Sequence, residues 1–336
     1  METVILIFIF VVSTVGLVKG ADWFLESAEK IGLALGLSHF IIGVTIVSFG
    51  TSFPELFTSI VAVIQEAPEM VTANAIGSNI ANIFLVVGFS ALVGGKLTVG
   101  KSLIDLDLPL LAAGTAILLA VIYPFNDLSG EVFISRPESL ILVFGYVIYF
   151  VYTILFEEED EKFIEKEDDL KTLPSREERR GHGREASKLK SSDFILLVLG
   201  IILLSFSSNY LVKSVVALSA LHRIAVGAIS IVAVAIGTTL PELFVSVKAV
   251  RSGDSDMALG NVFGSNIFNS FVVIGIPGLI GGLPLDSETY AIGVPFLIFA
   301  TLLFTFSGIS RRIHAYEGAF YILLYGLFIL KIFGIF

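Results

Sequence analysis

The residues from Gly50 to Gly88 return without a gap from Gly237 to Gly275, 187 positions further on, and 19 of the 39 aligned positions are identical. Agreement at that level in one register is an internal repeat. Two elements recur within it. Gly50-Thr51-Ser52-Phe53-Pro54-Glu55 is matched by Gly237-Thr238-Thr239-Leu240-Pro241-Glu242, and Gly77-Ser78-Asn79-Ile80-Ala81-Asn82 by Gly264-Ser265-Asn266-Ile267-Phe268-Asn269. The chain must therefore use one local structure twice. Both copies also set a carboxylate and a proline inside an apolar run, where a lipid-facing helix carries neither.

Composition supplies the solvent. With 55% hydrophobic residues in 336, the chain exceeds what a water-soluble fold can bury. Ten apolar runs are long enough to cross about 30 Å of hydrocarbon. They lie at roughly 4–18, 40–64, 71–93, 106–122, 139–156, 194–212, 224–250, 257–280, 289–307 and 318–335. The first lacks a basic leader and a small-residue cleavage site, so it reads as a retained helix. There are no cysteines, and the net charge of -10 sits in one loop and in short turns, which does not point to nucleic acid.

The expected fold is an all-α polytopic membrane protein of ten transmembrane helices. Five spans fall in each half, and an odd number forces the second half to insert upside down relative to the first. The expected organisation is thus two inverted five-helix repeats, 1–156 and 194–336, around the repeated segments 50–88 and 237–275. A charged loop, 157–193, joins them; its acidic first part and basic second part read as a solvated linker. Placing the N-terminus outside puts 17 of the 21 Lys and Arg residues on the inner side, so both termini are expected outside and the loop in the cytoplasm.

Within the second and seventh spans the motif has a mechanical meaning. Pro54 and Pro241 lack an N–H, so carbonyls near Gly50 and Gly237 lose their helical partners. In hydrocarbon those oxygens need replacements, and a cation supplies them. The hydroxyls of Thr51, Ser52, Thr238 and Thr239 share the broken turns, and Glu55 and Glu242 follow one turn later. Ser78 and Asn82 lie one turn apart on one helical face, as do Ser265 and Asn269. A charge at a helix centre opposes insertion by about 2.5–3.5 kcal/mol, so a repeated glutamate marks a function. All donors are oxygens, which suits a hard cation and disfavours zinc or copper. Two carboxylates match the charge of one calcium ion, and sodium could share the same oxygens.

With these residues in view, the chain resembles the calcium/cation antiporter superfamily, most of all its sodium/calcium exchanger branch, through the paired GTSxPEL and GSNxxN elements. That resemblance implies that the second, third, seventh and eighth spans form the core while the first and sixth slide across it to alternate access. It implies calcium held by Glu55, Glu242, Thr51 and Thr238, the threonines through backbone oxygen. Ser52, Ser78, Thr239, Ser265 and the carbonyls of Ser48 and Ala235 would make sodium sites, with Asn82 and Asn269 at a central site taking water or an ion. It further implies three sodium ions inward per calcium outward, hence electrogenic transport across the plasma membrane by a monomer in lipid, with calcium and sodium as transported ions and no cofactor. Potassium-dependent relatives carry an Asp where Asn269 stands, so potassium cotransport is not expected.

Three other readings stay open at this level. A proton/calcium exchanger would use the same two glutamates, but has no need of the neutral oxygens around them. An ion channel would need a continuous polar path, whereas polar groups here cluster at the centre. An intramembrane protease would use the carboxylates to activate water and leave the freed carbonyls unexplained; no enzymatic activity is expected.

Overall fold

The computed structural model describes residues 2–34, 50–99, 107–123, 132–168 and 190–335. Proline and the apolar runs divide this chain into helices: α1 (Glu2–Ala34), α2 (Phe53–Ile64), α3 (Glu69–Gly94), α4 (Leu108–Ile122), α5 (Arg136–Asp168), α6 (Ser191–His222), α7 (Val226–Thr238), α8 (Leu240–Arg251), α9 (Ser255–Ile280), α10 (Thr289–Ile309) and α11 (Ala315–Ile332). Among the described residues six helices are each long and apolar enough to cross a bilayer, and α7 with α8, bent by 41°, make a seventh span. The all-α class is as expected. The count of ten is not reached among these residues, partly because the second and fourth predicted spans begin outside them.

Four of these helices, α6, α9, α10 and α11, start on acidic caps. The backbone N–H of Lys190 donates to Asp193 at 2.8 Å, that of Met257 to Asp254 at 2.9 Å, that of Thr289 to Asp286 at 2.9 Å and that of His314 to Glu317 at 2.6 Å. Each carboxylate satisfies an orphan donor and faces the positive end of the helix dipole. α5 runs past the apolar stretch to Asp168, so the first acidic part of the predicted loop continues the helix, and α6 resumes at Ser191.

Burial separates core from periphery. Of the most apolar 18-residue window, 78% is buried in α3 and in α9, against 28% in α1, 33% in α6 and 28% in α11. The outer helices turn Val4, Phe8 and Val15 of α1, and Phe194, Val198 and Phe206 of α6, outward, as lipid contact requires. α1 and α6 cross with their backbones almost touching. A Cβ on Gly20 would lie 2.9 Å from the Leu204 nitrogen, and one on Gly200 would lie 2.8 Å from the Phe24 nitrogen. Glycines at a crossing allow this approach where no water-driven force brings helices together. Over the same core, α1 sets Leu25 against Gly50 and Thr14 against Gly237.

Two short strand pairs tie the halves together. β1 (Lys96–Thr98) pairs antiparallel with β4 (Arg312–His314), Leu97 opposite Ile313, and β2 (Phe133–Ile134) pairs with β3 (Leu283–Pro284), Ile134 opposite Leu283. β1 follows α3 as β3 follows α9, and each pairs with a strand of the opposite half. That reciprocal exchange is what an inverted repeat produces.

Candidate ion site

Both copies of the motif fold alike. Pro54 and Pro241 each stand in the first turn of their helix, α2 and α8, where the missing N–H leaves no helical bond unmade. The residues just before these helices adopt nearly one conformation, Ser52 at φ -93° and ψ 8° and Thr239 at φ -80° and ψ -2°. Glu55 and Glu242 therefore sit in the first turns of two half-helices, beside their positive ends. Both glutamates are fully buried.

Opposite them, α3 and α9 each widen to a π-helical stretch that begins on the motif asparagine, Asn82–Val87 and Asn269–Val273. The N–H of Asn82 reaches the carbonyls of Ser78 and Asn79, and that of Asn269 those of Ser265 and Asn266. An inserted residue of this kind re-aims side chains at functional sites. Helical periodicity does not reveal it.

Across the repeats the structure brings together part of the expected set, Thr51, Ser52, Glu242 and Ser265, with Asn82 bonded to Asn266. The Ser52 hydroxyl donates to Glu242 Oε1 at 3.0 Å, and the Ser265 hydroxyl to the same oxygen at 3.3 Å. The hydroxyls of Thr51 and Ser265 are 3.3 Å apart. Asn82 Nδ2 donates to Asn266 Oδ1 at 3.3 Å, and Asn79 Nδ2 to the Asn266 carbonyl at 3.2 Å. The Ala235 carbonyl accepts the Thr239 N–H at 3.0 Å and the Thr238 hydroxyl at 3.4 Å. Ser48 lies outside the described residues.

A second set of atoms is buried without any protein partner: both carboxylate oxygens of Glu55, Glu242 Oε2, the hydroxyls of Ser78 and Thr239, Asn82 Oδ1, and both amide atoms of Asn269. Burying such oxygens unpaired costs several kcal/mol each in an apolar surround, the more so when charged. No group of three or more His, Cys, Asp or Glu residues gathers among the described residues. The donor set is two carboxylates among neutral oxygens, which fits a calcium or sodium ion and not a soft metal.

Asn74 and Asn261 belong to the same cluster, yet the motif reading passed over them. Asn261 Oδ1 accepts from the Thr51 hydroxyl at 3.3 Å, and Asn74 Oδ1 from the Thr238 hydroxyl at 3.5 Å. The signal was present: the two are equivalent in the repeat, identical, and one turn before Ser78 and Ser265.

A buried carboxylate pair held between inverted repeats on broken helices is the arrangement of a secondary transporter for cations. The sequence profile of the sodium/calcium exchanger protein family matches residues 5–155 and 192–334, and the chain belongs to that family. It is a membrane transporter of the cation/calcium exchange class, not an enzyme. Among its relatives, the sodium/calcium exchanger MaX1 of Methanosarcina acetivorans is 33% identical, over 97% of this chain and 98% of that protein. The inner membrane protein YrbG of Escherichia coli is 29% identical over 88% of this chain and 86% of its own length. In structure, the sodium-calcium exchanger NCX_Mj soaked with zero Na+ and Ca2+ superposes with a TM-score of 0.61 at 26% identity, covering 98% of this chain and 99% of that one.

Proposed function

We propose that this protein is a sodium/calcium antiporter that works by alternating access, with Glu55 and Glu242 as the calcium-holding carboxylates. The observation that carries this reading is the fully buried Glu55 carboxylate, neither oxygen of which makes a hydrogen bond within 3.5 Å although the side chains of Thr238 and Ser78 lie beside it. A divalent ion answers its charge and its open lone pairs at once. Thr51 and Thr238 complete the calcium site through their backbone oxygens. Ser52, Ser78, Thr239, Ser265 and the carbonyls of Ser48 and Ala235 serve sodium, and Asn82 and Asn269 take water or an ion at the centre.

The family resemblance adds three sodium ions per calcium, and hence net movement of one charge per cycle. With Asn at both 82 and 269, the site lacks a further carboxylate to balance an extra monovalent ion, so potassium is not cotransported. The protein works as a monomer in the plasma membrane, both termini outside and the 157–193 segment in the cytoplasm, as the Lys and Arg distribution supports.

Calcium uptake into sealed proteoliposomes tests this, comparing an outward sodium gradient with an equal proton gradient while valinomycin sets the voltage. Uptake that follows sodium and voltage and vanishes in Glu55→Gln and Glu242→Gln is expected. Uptake that follows pH alone would transfer the assignment to a proton/calcium exchanger, and flux without any counter-ion gradient to a channel.

A further inference from the structure

Most of the unpartnered buried atoms are oxygens that a cation would satisfy. The amide nitrogens of Asn74, Asn266 and Asn269 are not, because an NH2 group donates and cannot ligate a cation, and the nitrogen of Asn74 has a bonded counterpart in the other repeat. Asn74 is 1% exposed, and so is Ser59, whose hydroxyl also has no partner. That these two donors make no bond has a different cause from the open oxygens of Glu55.

The second repeat supplies it. Asn261 is the equivalent of Asn74 and Ser246 of Ser59, with identical residues at both positions. Asn261 Nδ2 donates to the Ser246 hydroxyl at 3.2 Å and to the Glu242 carbonyl at 3.4 Å, and Ser246 donates on to the Ala258 carbonyl at 3.2 Å. This chain of bonds fixes the first turns of α8 to α9. On the first repeat, where α2 also packs on α3, the corresponding Asn74 and Ser59 donors make none of these bonds. The two Asn–Ser pairs carry the same side chains, so their own chemistry does not set the difference; the conformation of the segments that hold them does. In a protein built of two inverted copies, alternating access moves one part against the other around a fixed site, and a state in which the copies trade local conformations faces the opposite way.

We propose that Asn74 with Ser59, and Asn261 with Ser246, form an alternating latch in which one amide-to-hydroxyl bond is closed in each facing state and the closed bond passes from one repeat to the other as access reverses. Both asparagines are positioning residues: each also faces the threonine hydroxyl of the opposite repeat, Asn261 at 3.3 Å from Thr51 and Asn74 at 3.5 Å from Thr238, so the latch state of one half is felt at the broken turn of the other. The inference rests on the alternating-access reading above.

Hydrogen exchange on the purified full chain, free of calcium, gives a readout that does not depend on transport. Ser246→Ala is expected to speed amide exchange in 240–251 and to slow it in 53–64, and Ser59→Ala to do the reverse, each by about three- to tenfold as one modest hydrogen bond shifts a two-state balance. Ser246→Thr, which keeps the hydroxyl, is expected to match the unchanged protein. In proteoliposomes of one orientation, the ratio of half-saturating calcium at the two faces should move in opposite directions for the two alanine variants. A change confined to the substituted repeat, or of the same sign in both, would overturn the latch. An opposed exchange pattern in a chain whose calcium uptake ignores sodium would instead overturn the sodium reading and leave the latch standing.

Discussion

The hydroxyl of Ser52, on the first repeat, donates at 3.0 Å to a carboxylate oxygen of Glu242, on the second, although 190 residues separate them in the chain. The converse contact is not made: the Thr239 hydroxyl and both oxygens of Glu55 have no hydrogen-bond partner. Two carboxylates with one sequence context thus stand in different surroundings, and their variants should differ.

Glu55→Gln should raise the thermal stability of the calcium-free protein more than Glu242→Gln does. It removes a buried carboxylate that makes no hydrogen bond within 3.5 Å, whereas Glu242 accepts from Ser52 and Ser265 at 3.0 and 3.3 Å. Both variants should lose the stabilisation that calcium gives the unchanged protein. Melting curves with calcium and with a chelator read both effects. Equal shifts in the calcium-free state would contradict the asymmetry.

Ser52→Ala should weaken ion binding without abolishing it. One of two donors to Glu242 Oε1 is lost, a hydrogen bond to a charged acceptor contributing roughly 1.5–3 kcal/mol. Sodium-driven calcium uptake should persist, with a half-saturating sodium concentration changed by at least about threefold. Complete loss of uptake in a folded variant would mean that the hydroxyl does more than orient the carboxylate.

Gly20→Val should loosen the α1–α6 pair. The added Cβ would meet the Leu204 nitrogen and the Gly200 carbonyl, backbone atoms that cannot rotate away. Overpacking of this kind costs about 1–3 kcal/mol. A lower melting temperature than for Gly326→Val is the expected result, since a Cβ at Gly326 meets nothing within 4 Å.

Asp286, outside the membrane spans, caps α10 through the N–H and hydroxyl of Thr289 at 2.9 and 2.6 Å. Burial, more than any other cause, pushes its carboxyl above the ordinary aspartate range. An acid raised in the folded state stabilises most below its unfolded pKa, and that contribution is lost as pH rises through the folded value. Asp286→Asn, which still accepts at the cap, should therefore gain stability relative to the unchanged protein as pH is raised from about 4 to 8. A melting-temperature difference that is flat or shrinks over that range would contradict the assignment.

Much of the site was legible because it is written twice. Pro54 beside Glu55 and Pro241 beside Glu242 announce broken helices and buried charge, and the structure breaks α7 from α8 where Pro241 requires it. Asn74 and Asn261 were equally conspicuous in the repeat, but their partners, Thr238 and Thr51, lie 164 and 210 residues away. Contacts of that kind depend on how two halves approach each other, which no local pattern encodes. The π-helical stretches at Asn82 and Asn269 escaped for a related reason: one extra residue per turn changes no residue type, and packing alone decides whether the turn widens.

The sequence by itself determined the solvent, the repeat, its inversion and the chemical character of the donors, because hydropathy, span number and residue type act locally and survive any arrangement in space. Only the tertiary structure decided that Glu242 is held by Ser52 and Ser265 while Glu55 is not, and that the Asn261–Ser246 bond is closed while Asn74 and Ser59 stand unpaired. Asn74 and Ser59 carry the same side chains as Asn261 and Ser246, so residue type at these positions does not specify which pair is bonded. The difference arises because two inverted copies packed against one core adopt unlike conformations, and that inequality is a property of the assembled fold.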